Sequence, residues 1–278
     1  MGVQRRLEGL GCLIVGGSGG IGLASTRRFL QEGARVVVAG EAAQAGALAR
    51  AGVSESANVW EFEVDVRDES DVERLFASSL EVLEGRLDVL LHVSGISGRR
   101  FGDGPLESCS LDGWNAVMDV NARGAFLTNR SALRQMLSQP RDANGLRGSI
   151  VNVGSVLDRS PSPKSFGTVA YSASKGALRA LTRTCSAAYA ARGIRFNLIE
   201  PGLVDTPMAA RALGDPELQA FLRRKQPLSN GPVQAEDVAE AAVGLSGRES
   251  RFVTGAVWTV DGGWSLSEGR DEAEDDDS

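Results

Sequence analysis

Tyr171 and Lys175 stand four positions apart in the chain, a spacing that on an α-helix places both side chains on one face, about one turn apart. A free tyrosine has a pKa near ~10 and is a weak base at neutral pH. A positive charge ~4 Å away, at an effective dielectric of ~20, would favour the ionised phenol by roughly 4 kcal/mol, or about three pKa units. The pair therefore predicts a tyrosine that exchanges protons near neutral pH, although the same spacing also occurs on ordinary helix surfaces.

A second segment that could do chemistry is rich in glycine and lies between an apolar run and a helical pattern. It reads Gly16-Gly17-Ser18-Gly19-Gly20-Ile21-Gly22. Glycines let the backbone approach a pyrophosphate, and a helix N-terminus supplies N–H groups and partial positive charge. The segment therefore predicts nucleotide binding. Two glycine spacings fit, one with Gly17, Gly19 and Gly22 and the other with Gly16, Gly20 and Gly22, and the motif alone does not choose between them.

The elements that must position these residues alternate along the chain. Predicted strands cover 10–15, 36–39, 59–64, 88–93, 149–153, 194–199 and 256–260, and predicted helices cover 20–32, 68–83, 111–137, 168–191 and 236–245. Short apolar strands that alternate with helices indicate βαβ units and a parallel sheet buried on both faces. We expect an α/β, Rossmann-type, doubly wound parallel sheet of about seven strands with helices on both faces.

Composition narrows the class of protein. The chain has 278 residues, 42% of them hydrophobic, and no apolar run long enough to span a membrane. The cysteines (Cys12, Cys109 and Cys185) are scattered, and there is a single histidine. These features predict a cytoplasmic protein without a metal site.

Charge is concentrated at the C-terminus. Residues 267–278 hold seven acids and one base, which accounts for the whole net charge of −6. We expect one oxidoreductase domain over 1–266, followed by an acidic, disordered tail over 267–278. The body has no excess of basic charge, so we expect no nucleic-acid partner.

From about Leu7 to Leu266 the chain resembles the short-chain dehydrogenase/reductase family. The matching residues are Gly16, Gly20 and Gly22, Asp65-Val66, Asn121, Ser155, Tyr171 and Lys175, Pro201-Gly202 with Thr206, and Val260-Asp261-Gly262-Gly263. The resemblance implies hydride transfer between a nicotinamide and an alcohol or ketone, a small molecule. It also favours the second of the two glycine spacings.

The resemblance further implies the role of each residue. The catalytic set would be Asn121, Ser155, Tyr171 and Lys175, in which Tyr171 is the general acid or base, Lys175 lowers its pKa and holds the nicotinamide ribose, Ser155 binds the substrate oxygen, and Asn121 holds a water. The cofactor would contact Gly16, Ser18, Gly20, Ile21, Gly22, Glu41, Asp65, Val66, Gly95, Tyr171, Lys175, Pro201, Gly202 and Thr206. The pattern is nearest to the 3-oxoacyl-carrier-protein reductase-like branch.

Two segments depart from the family pattern. The turn after the fourth strand reads His92-Val93-Ser94-Gly95, where only the glycine matches, and we interpret His92 as a packed residue at the strand end. The interval from Ser155 to Tyr171 is sixteen residues, which we interpret as an insertion over 158–166. If the insertion shifts the register, Ser160 replaces Ser155.

The end of the second strand bears on the cofactor. An acidic side chain there binds the ribose hydroxyls of NAD and repels the additional phosphate of NADP. Gly40 occupies the usual acidic position and Glu41 follows it. We therefore favour NAD over NADP, although Glu41 could instead point into solvent.

The substrate is weakly encoded. The pocket should be lined by residues 97–101, the insertion over 158–166, and a long connection over 203–233. Six cations in these segments either meet an acidic substrate or form a solvated face: Arg99, Arg100, Arg211, Arg223, Arg224 and Lys225. Small residues on the Tyr171 helix and the segment 258–264 predict a homotetramer, or otherwise a homodimer. The alternative function is a catalytically silent nucleotide-binding scaffold or sensor of the same fold.

Overall fold

The computed structural model describes residues 5–41, 46–53 and 57–268. Over these residues the strands form one parallel sheet in the order β3-β2-β1-β4-β5-β6-β7. The strands are β1 (Gly11–Val15), β2 (Arg35–Gly40), β3 (Val59–Glu63), β4 (Val89–His92), β5 (Gly148–Val153), β6 (Ile194–Pro201) and β7 (Val257–Val260). The predicted α/β class and seven-stranded sheet are confirmed.

Helices cover both faces of this sheet. In the described residues they are α1 (Gly20–Gln31), α2 (Ala47–Arg50), α3 (Glu69–Val82), α4 (Leu111–Val117), α5 (Gly124–Ser138), α6 (Pro163–Phe166), α7 (Val169–Tyr189), α8 (Ala210–Leu213), α9 (Pro216–Lys225) and α10 (Ala235–Ser246). Cys12 and Ile14 of β1 pack with α1 and α10 on one face. Leu13 and Val15 face α3 and α5 on the other. This alternation is why the strands read as continuous apolar runs.

The helix predicted over 111–137 is divided in the structure. A π-helical segment, Met118–Arg123, separates α4 from α5. Inside this segment the Asn121 side chain bonds both backbone groups of Ile96. A wider turn of this kind is common where a helix must place a side chain outside its regular register. The prediction of a long helix over 111–137, with Gly113 and Gly124 as weak points, did not include this π-helical segment, because the apolar periodicity continues through it.

The connection 203–233 contains α8 and α9, which the sequence had indicated only as a long loop. An isolated parallel bridge between Val204 and Val233 closes the base of this segment. Gln226, which is fully buried, also links the two ends: its side chain bonds the backbone of Leu203 and Gly231. We call residues 203–233 the lid segment.

The carboxyl ends of all the strands lie at one edge of the sheet, where ligands bind in open α/β folds. In the part of the chain that the structure describes, no helix is long and apolar enough to cross a membrane. The expected domain limit at residue 266 stays a prediction. Most of the acidic tail, from residue 269 onward, lies outside the described residues.

Candidate active site

Helix α7 carries Tyr171 and Lys175, and a buried carboxylate holds its first turn. Asp103 accepts hydrogen bonds from the backbone N–H groups of Ala170 and Tyr171, both at 3.0 Å. A carboxylate at this position satisfies N–H groups that the helix leaves unpaired and interacts favourably with the helix dipole. Asp103 therefore fixes where α7 begins and so where Tyr171 lies. The sequence analysis did not single out this residue, because it is 68 positions away from Tyr171.

Ser155, Tyr171 and Lys175 come together at the carboxyl end of β5. The Ser155 hydroxyl lies close enough to the Tyr171 phenol for a hydrogen bond between them to lower the pKa of the phenol. The Lys175 ammonium donates to the Val153 carbonyl oxygen at 2.9 Å and lies 5.6 Å from the centre of the Tyr171 ring. Ser160, the alternative to Ser155, lies elsewhere, and its carbonyl oxygen accepts a hydrogen bond from the Trp264 indole.

The electrostatics of this group differ from the sequence-based expectation. Burial raises the pKa of Tyr171, the hydrogen bond from Ser155 partly opposes this, and the nearby Asp158 carboxylate raises it further. The Lys175 ammonium is directed to the Val153 carbonyl oxygen, and burial is the largest cause of the raised Tyr171 pKa. In the structure, desolvation outweighs the expected effect of the ammonium on the phenol.

Lys175 is itself perturbed. Burial lowers its pKa to about 8, and the Asp158 carboxylate opposes that shift. Because about 8 is still above neutral pH, most Lys175 side chains carry a proton at pH 7. The ammonium is therefore a positive charge held at the end of β5, and its residue lies one helical turn from Tyr171.

Asn121 lies beside Lys175 but its amide group is already engaged. Its carbonyl oxygen accepts from Ile96 N–H at 2.8 Å, and its nitrogen donates to Ile96 O and to the Ser174 hydroxyl. A methyl group added at Gly95 would lie 3.2 Å from the Asn121 side chain and 3.5 Å from the Lys175 ammonium. Glycine at position 95 thus leaves the space over the ammonium open.

His92 is packed under this group. Its Nδ1 atom lies 3.0 Å from the Thr128 hydroxyl, and the ring is fully buried. Burial and the neighbouring Lys175 ammonium lower the pKa of His92 to about 3, so the ring is neutral at physiological pH. This placement agrees with its interpretation as a packed residue at a strand end.

The glycine-rich segment forms a turn between β1 and α1. Gly16 and Gly20 have φ of +86° and +46°, in the left-handed region that favours glycine. A methyl group at Gly22 would lie 1.9 Å from the Gly16 carbonyl oxygen, whereas one at Gly19 would meet nothing within 4 Å. The backbone therefore needs glycine at 16, 20 and 22. Gly19 could accommodate alanine, and its open side is the space that a ligand would fill.

Helix α1 has free N–H groups at its start. Its N-cap residue, Gly19, provides no side-chain hydrogen bond, and the first turn contains no acid. Helix α3, in contrast, is capped by the Asp68 carboxylate. An uncapped helix start beside a glycine turn is suited to bind a pyrophosphate through backbone N–H groups. Ser18 and Ile21 lie on this turn, with Ser18 buried and Ile21 half-buried.

The lid segment begins against the same turn. Pro201 is the last residue of β6, and Gly202 follows it. A methyl group at Gly202 would lie 2.4 Å from the Gln226 side chain, and one at Gly20 would lie 3.0 Å from the Thr206 methyl. The Thr206 side chain therefore lies against Gly20, at the start of α1.

A cavity of about 160 Å³ lies at the end of β2, lined by Ser18, Gly40, Glu41, Gly46, Glu61, Phe62 and Glu63. Three of these side chains are carboxylates. The sequence analysis identified Glu41 but missed Glu61 and Glu63, because their proximity depends on β3 pairing with β2 in the register that sets Glu63 beside Gly40. Since every charged side chain in this lining is acidic, the cavity disfavours an additional negative charge.

Asp65 and Val66 follow β3, and each is already engaged. The Asp65 carboxylate is bound by the Arg67 guanidinium, with the shortest contact at 2.7 Å. Val66 is buried against Gly124, where an added methyl group would lie 2.7 Å from the Val66 side chain. Both residues lie near the carboxyl end of β3, and the Asp65 backbone N–H donates to the Asp71 carboxylate at 3.1 Å.

The insertion and the lid segment meet beside Val156, the residue that follows Ser155. The rings of Phe166, Phe221 and Trp264 contact one another, with centroid separations of 5.5–6.3 Å. Trp264 is 1% exposed. This aromatic cluster holds the insertion against α9, so that both lie above the carboxyl end of β5.

The predicted cations of this region are divided between separate places. Arg99 donates to the Ser165 carbonyl oxygen, and Arg211 lies near enough to help burial lower the Arg99 pKa. Lys225, in contrast, donates to the Ser267 backbone on the other side of the lid segment. The structure thus brings Arg99 and Arg211 together but not the whole predicted set.

Comparison with known proteins identifies the class to which this fold and site belong. A family model described as Enoyl-(Acyl carrier protein) reductase matches residues 16–265. Glucose 1-dehydrogenase of Gluconobacter oxydans is 34% identical over 264 residues, 94% of each chain. The 2-(R)-hydroxypropyl-CoM dehydrogenase of Xanthobacter autotrophicus is 36% identical over 255 residues, 91% of this chain and 97% of the relative.

The comparison with solved structures shows the same fold. A short-chain type dehydrogenase/reductase from Mycobacterium ulcerans superposes with a TM-score of 0.84 and 26% identity, over 95% of this chain and 93% of that one. The chain belongs to the short-chain dehydrogenase/reductase family and is an oxidoreductase. The predicted family and enzyme class are confirmed, and the family implies an NAD(P) cofactor.

Two alanine substitutions in the glycine turn should behave differently. Gly22→Ala forces a methyl group against the Gly16 carbonyl oxygen, so we expect a loss of about 2 kcal/mol or more in the free energy of unfolding. Gly19→Ala meets no protein atom and has an extended backbone. We expect it to unfold within about 0.5 kcal/mol of wild type and to bind NADH at least about ten-fold more weakly.

Denaturant unfolding and fluorescence titration with NADH measure these two effects. Unchanged NADH affinity in a folded Gly19→Ala protein would contradict a pyrophosphate site in front of Gly19.

Proposed function

We propose that the protein transfers hydride between a nicotinamide cofactor and the CH–OH or C=O carbon of a small alcohol or ketone, with Tyr171 as the general acid or base. The observation that carries this proposal is the convergence of Ser155, Tyr171 and Lys175 at the carboxyl end of β5. Relatives that cover more than nine-tenths of the chain carry the names of dehydrogenases. These names support a CH–OH substrate.

The residues at the sheet edge fit a dinucleotide. The glycine turn and the uncapped start of α1 would hold the pyrophosphate, with Thr206 opposite. Gly95 leaves space above Lys175 for the nicotinamide ribose, and Pro201-Gly202 would border the nicotinamide itself. When bound, the nicotinamide supplies or accepts the hydride.

The protein's own groups handle the proton. In reduction, the Tyr171 phenol gives its proton to the substrate oxygen, and in oxidation the tyrosinate takes it. Ser155 already shares a hydrogen bond with this phenol, so it lies where it can donate to the same substrate oxygen and stabilise the charge that develops there. The protonated Lys175 stabilises the tyrosinate through space.

The raised pKa of Tyr171 suits the acid role in the free protein. In the oxidative direction the phenol must lose its proton, and the positive charge of an oxidised nicotinamide adds to that of Lys175 in favouring the ionised form. We therefore expect the oxidative kcat/KM to rise with pH as the phenol ionises and the reductive rate to fall over the same interval.

We favour NAD over NADP on the charge of the β2 cavity. Glu41, Glu61 and Glu63 line it, and these three carboxylates outnumber the guanidinium of Arg50, which lies near the lining residue Gly46. A 2′-phosphate would enter this cavity against carboxylates, whereas two ribose hydroxyls could donate to them.

Replacing Tyr171 tests the proposed chemistry. Tyr171→Phe removes the proton donor and leaves the ring packing intact, so we expect kcat to fall by about 10²–10⁴ with unchanged NADH affinity. The measurement is nicotinamide absorbance on a panel of alcohols and ketones, with NAD and NADP in parallel. The panel pairs each neutral compound with a carboxylate analogue, because Arg99 and Arg211 lie together near the insertion.

Full turnover by Tyr171→Phe would exclude the assigned acid and base. A wild-type protein that binds NADH but turns over nothing on the panel would instead support the catalytically silent scaffold or sensor.

A charge reversal at Glu41 tests the cofactor preference. We expect wild type to bind NADH at least about ten-fold more tightly than NADPH, and Glu41→Arg to narrow that ratio about ten-fold or more, since ten-fold corresponds to about 1.4 kcal/mol. Glu81→Arg is the matched control. Glu81 is exposed at the end of α3, near the amino ends of the strands and away from the β2 cavity. Tighter binding of NADPH by wild type would reverse the proposed preference.

We also propose a homo-oligomer, with a tetramer favoured over a dimer. An exposed stripe of small residues runs along α7, formed by Ala173, Ala177 and Ala180. Trp258 on the edge strand β7 is 47% exposed, and Phe252 nearby in sequence is 86% exposed. Exposed apolar surface of this kind is typical of subunit interfaces.

Light scattering coupled to size exclusion should give a mass of four chains for wild type. Trp258→Glu places a charge on the edge strand and should lower that mass by half or more. Wild-type protein that elutes with the mass of one chain would contradict the proposed assembly.

A further inference from the structure

A cluster of four charged side chains lies directly behind the catalytic group. Asp158 and Arg159 come from the insertion after β5, Arg179 from α7, and Glu200 from the end of β6. Side-chain exposure is 2% for Asp158 and 0% for Glu200. Buried carboxylates need compensating partners. The two guanidinium groups provide them, so the cluster is balanced in charge.

Arg179 and Asp158 form a bidentate ion pair within this cluster. The Arg179 guanidinium donates to the two Asp158 carboxylate oxygens at 2.6 and 2.7 Å. Two parallel charge-assisted bonds fix relative orientation as well as distance. Arg179 also contacts Glu200, whereas Asp158 has no other ionic partner in the part of the chain described here.

Asp158 and Arg179 each lie close in sequence to residues of the proposed catalytic set. Asp158 lies three residues after Ser155. Arg179 lies one helical turn beyond Lys175 and two beyond Tyr171, so the three side chains share a face of α7. The ion pair therefore joins the loop that supplies Ser155 to the helix that supplies Tyr171 and Lys175.

The second half of the cluster anchors the same loop to the sheet and the C-terminal region. Arg159 donates to Glu200 at 2.9 Å and to the hydroxyls of Thr259 and Ser265 at 2.8 and 3.2 Å. Glu200 directly precedes Pro201-Gly202. The cluster thus connects three elements: the loop that follows Ser155, helix α7, and the end of β6 that leads into the lid segment.

We propose that Asp158 and Arg179 are a positioning pair that holds the Ser155 loop against α7 and sets the net charge beside Tyr171. The inference rests on the proposed role of Tyr171 as acid and base. Asp158 acts on both members of the catalytic pair, because its carboxylate favours the neutral phenol and the protonated ammonium. Arg179 neutralises that carboxylate, so the two residues act on the phenol with opposite sign.

The charged and titratable groups around Tyr171 come from every neighbouring element. They are His92 from β4, which is neutral, Asp103 before α4, Asp158 and Arg159 from the insertion, Lys175 and Arg179 from α7, and Glu200 from β6. Burial raises the pKa of Glu200 despite its two arginine partners. Single substitutions at 158 and 179 change only one charge of this set.

Two neutralising variants should shift the ionisation of Tyr171 in opposite directions. Asp158→Asn removes the negative charge, so the phenol loses its proton at lower pH. Arg179→Gln leaves Asp158 uncompensated, so the phenol loses its proton at higher pH. We expect a shift of at least about half a pH unit each way, which is about three-fold in oxidative kcat/KM on the rising limb. The double variant should return the midpoint close to that of wild type.

A structural role alone would not give this result, because breaking the same ion pair from either side would then change both variants alike. Arg183→Gln is the matched control: Arg183 is exposed one turn further along α7, makes no ion pair among the described residues, and its loss should leave the profile unchanged. Arg179→Lys keeps the charge and should keep the midpoint. If Arg179→Gln does not fold, the pH midpoints of Asp158→Asn, the double variant and Arg179→Lys still test the proposal.

Ionisation can also be measured without any cofactor. The chain has two tyrosines, and Tyr189 packs against Phe196 away from the site. In a Tyr189→Phe background, ultraviolet difference titration therefore reports Tyr171 alone. Opposite shifts in this titration together with full turnover by Tyr171→Phe would uphold the pair and refute the proposed function. Shifts in the same direction, or none, in a protein that Tyr171→Phe inactivates would refute the pair and uphold the function.

Discussion

The burial of a phenol and an ammonium at the same sheet edge is the constraint on which the rest of the structure depends. Lys175 is buried and Tyr171 is half-buried, and desolvation raises the pKa of the phenol and lowers that of the ammonium to about 8. Neutral forms are favoured in such a place unless other groups compensate. The Val153 carbonyl holds the ammonium, and Ser155 holds the phenol. Much of the surrounding architecture serves to keep these contacts in place.

Three contacts position helix α7, which carries Tyr171 and Lys175, and they come from distant parts of the chain. Asp103 caps its start, the π-helical segment brings Asn121 to its flank, and the Asp158–Arg179 ion pair ties its third turn to the Ser155 loop. Each satisfies polar groups that burial would otherwise leave without partners. The helix that carries the phenol is therefore held from three sides.

The cofactor side of the cleft works through backbone and shape. Glycine is needed at Gly16, Gly20 and Gly22 because the turn either adopts positive φ or approaches its own carbonyl oxygen. The start of α1 is left uncapped while α3 is capped by Asp68. These choices lower local stability but leave N–H groups free for an anion. The carboxylates of Glu41, Glu61 and Glu63 give the β2 cavity a negative lining.

The sequence by itself determined the class of fold, the family and the set of candidate residues, because strand and helix periodicities and short motifs are local properties of a chain. It did not determine the electrostatics: a four-residue spacing predicted that Lys175 would lower the pKa of Tyr171, whereas burial is the largest effect in the structure and raises it. It also missed Asp103, Glu61, Glu63, Arg179 and Glu200. Their roles depend on register, burial and contacts across long intervals of sequence, and only the tertiary structure sets those.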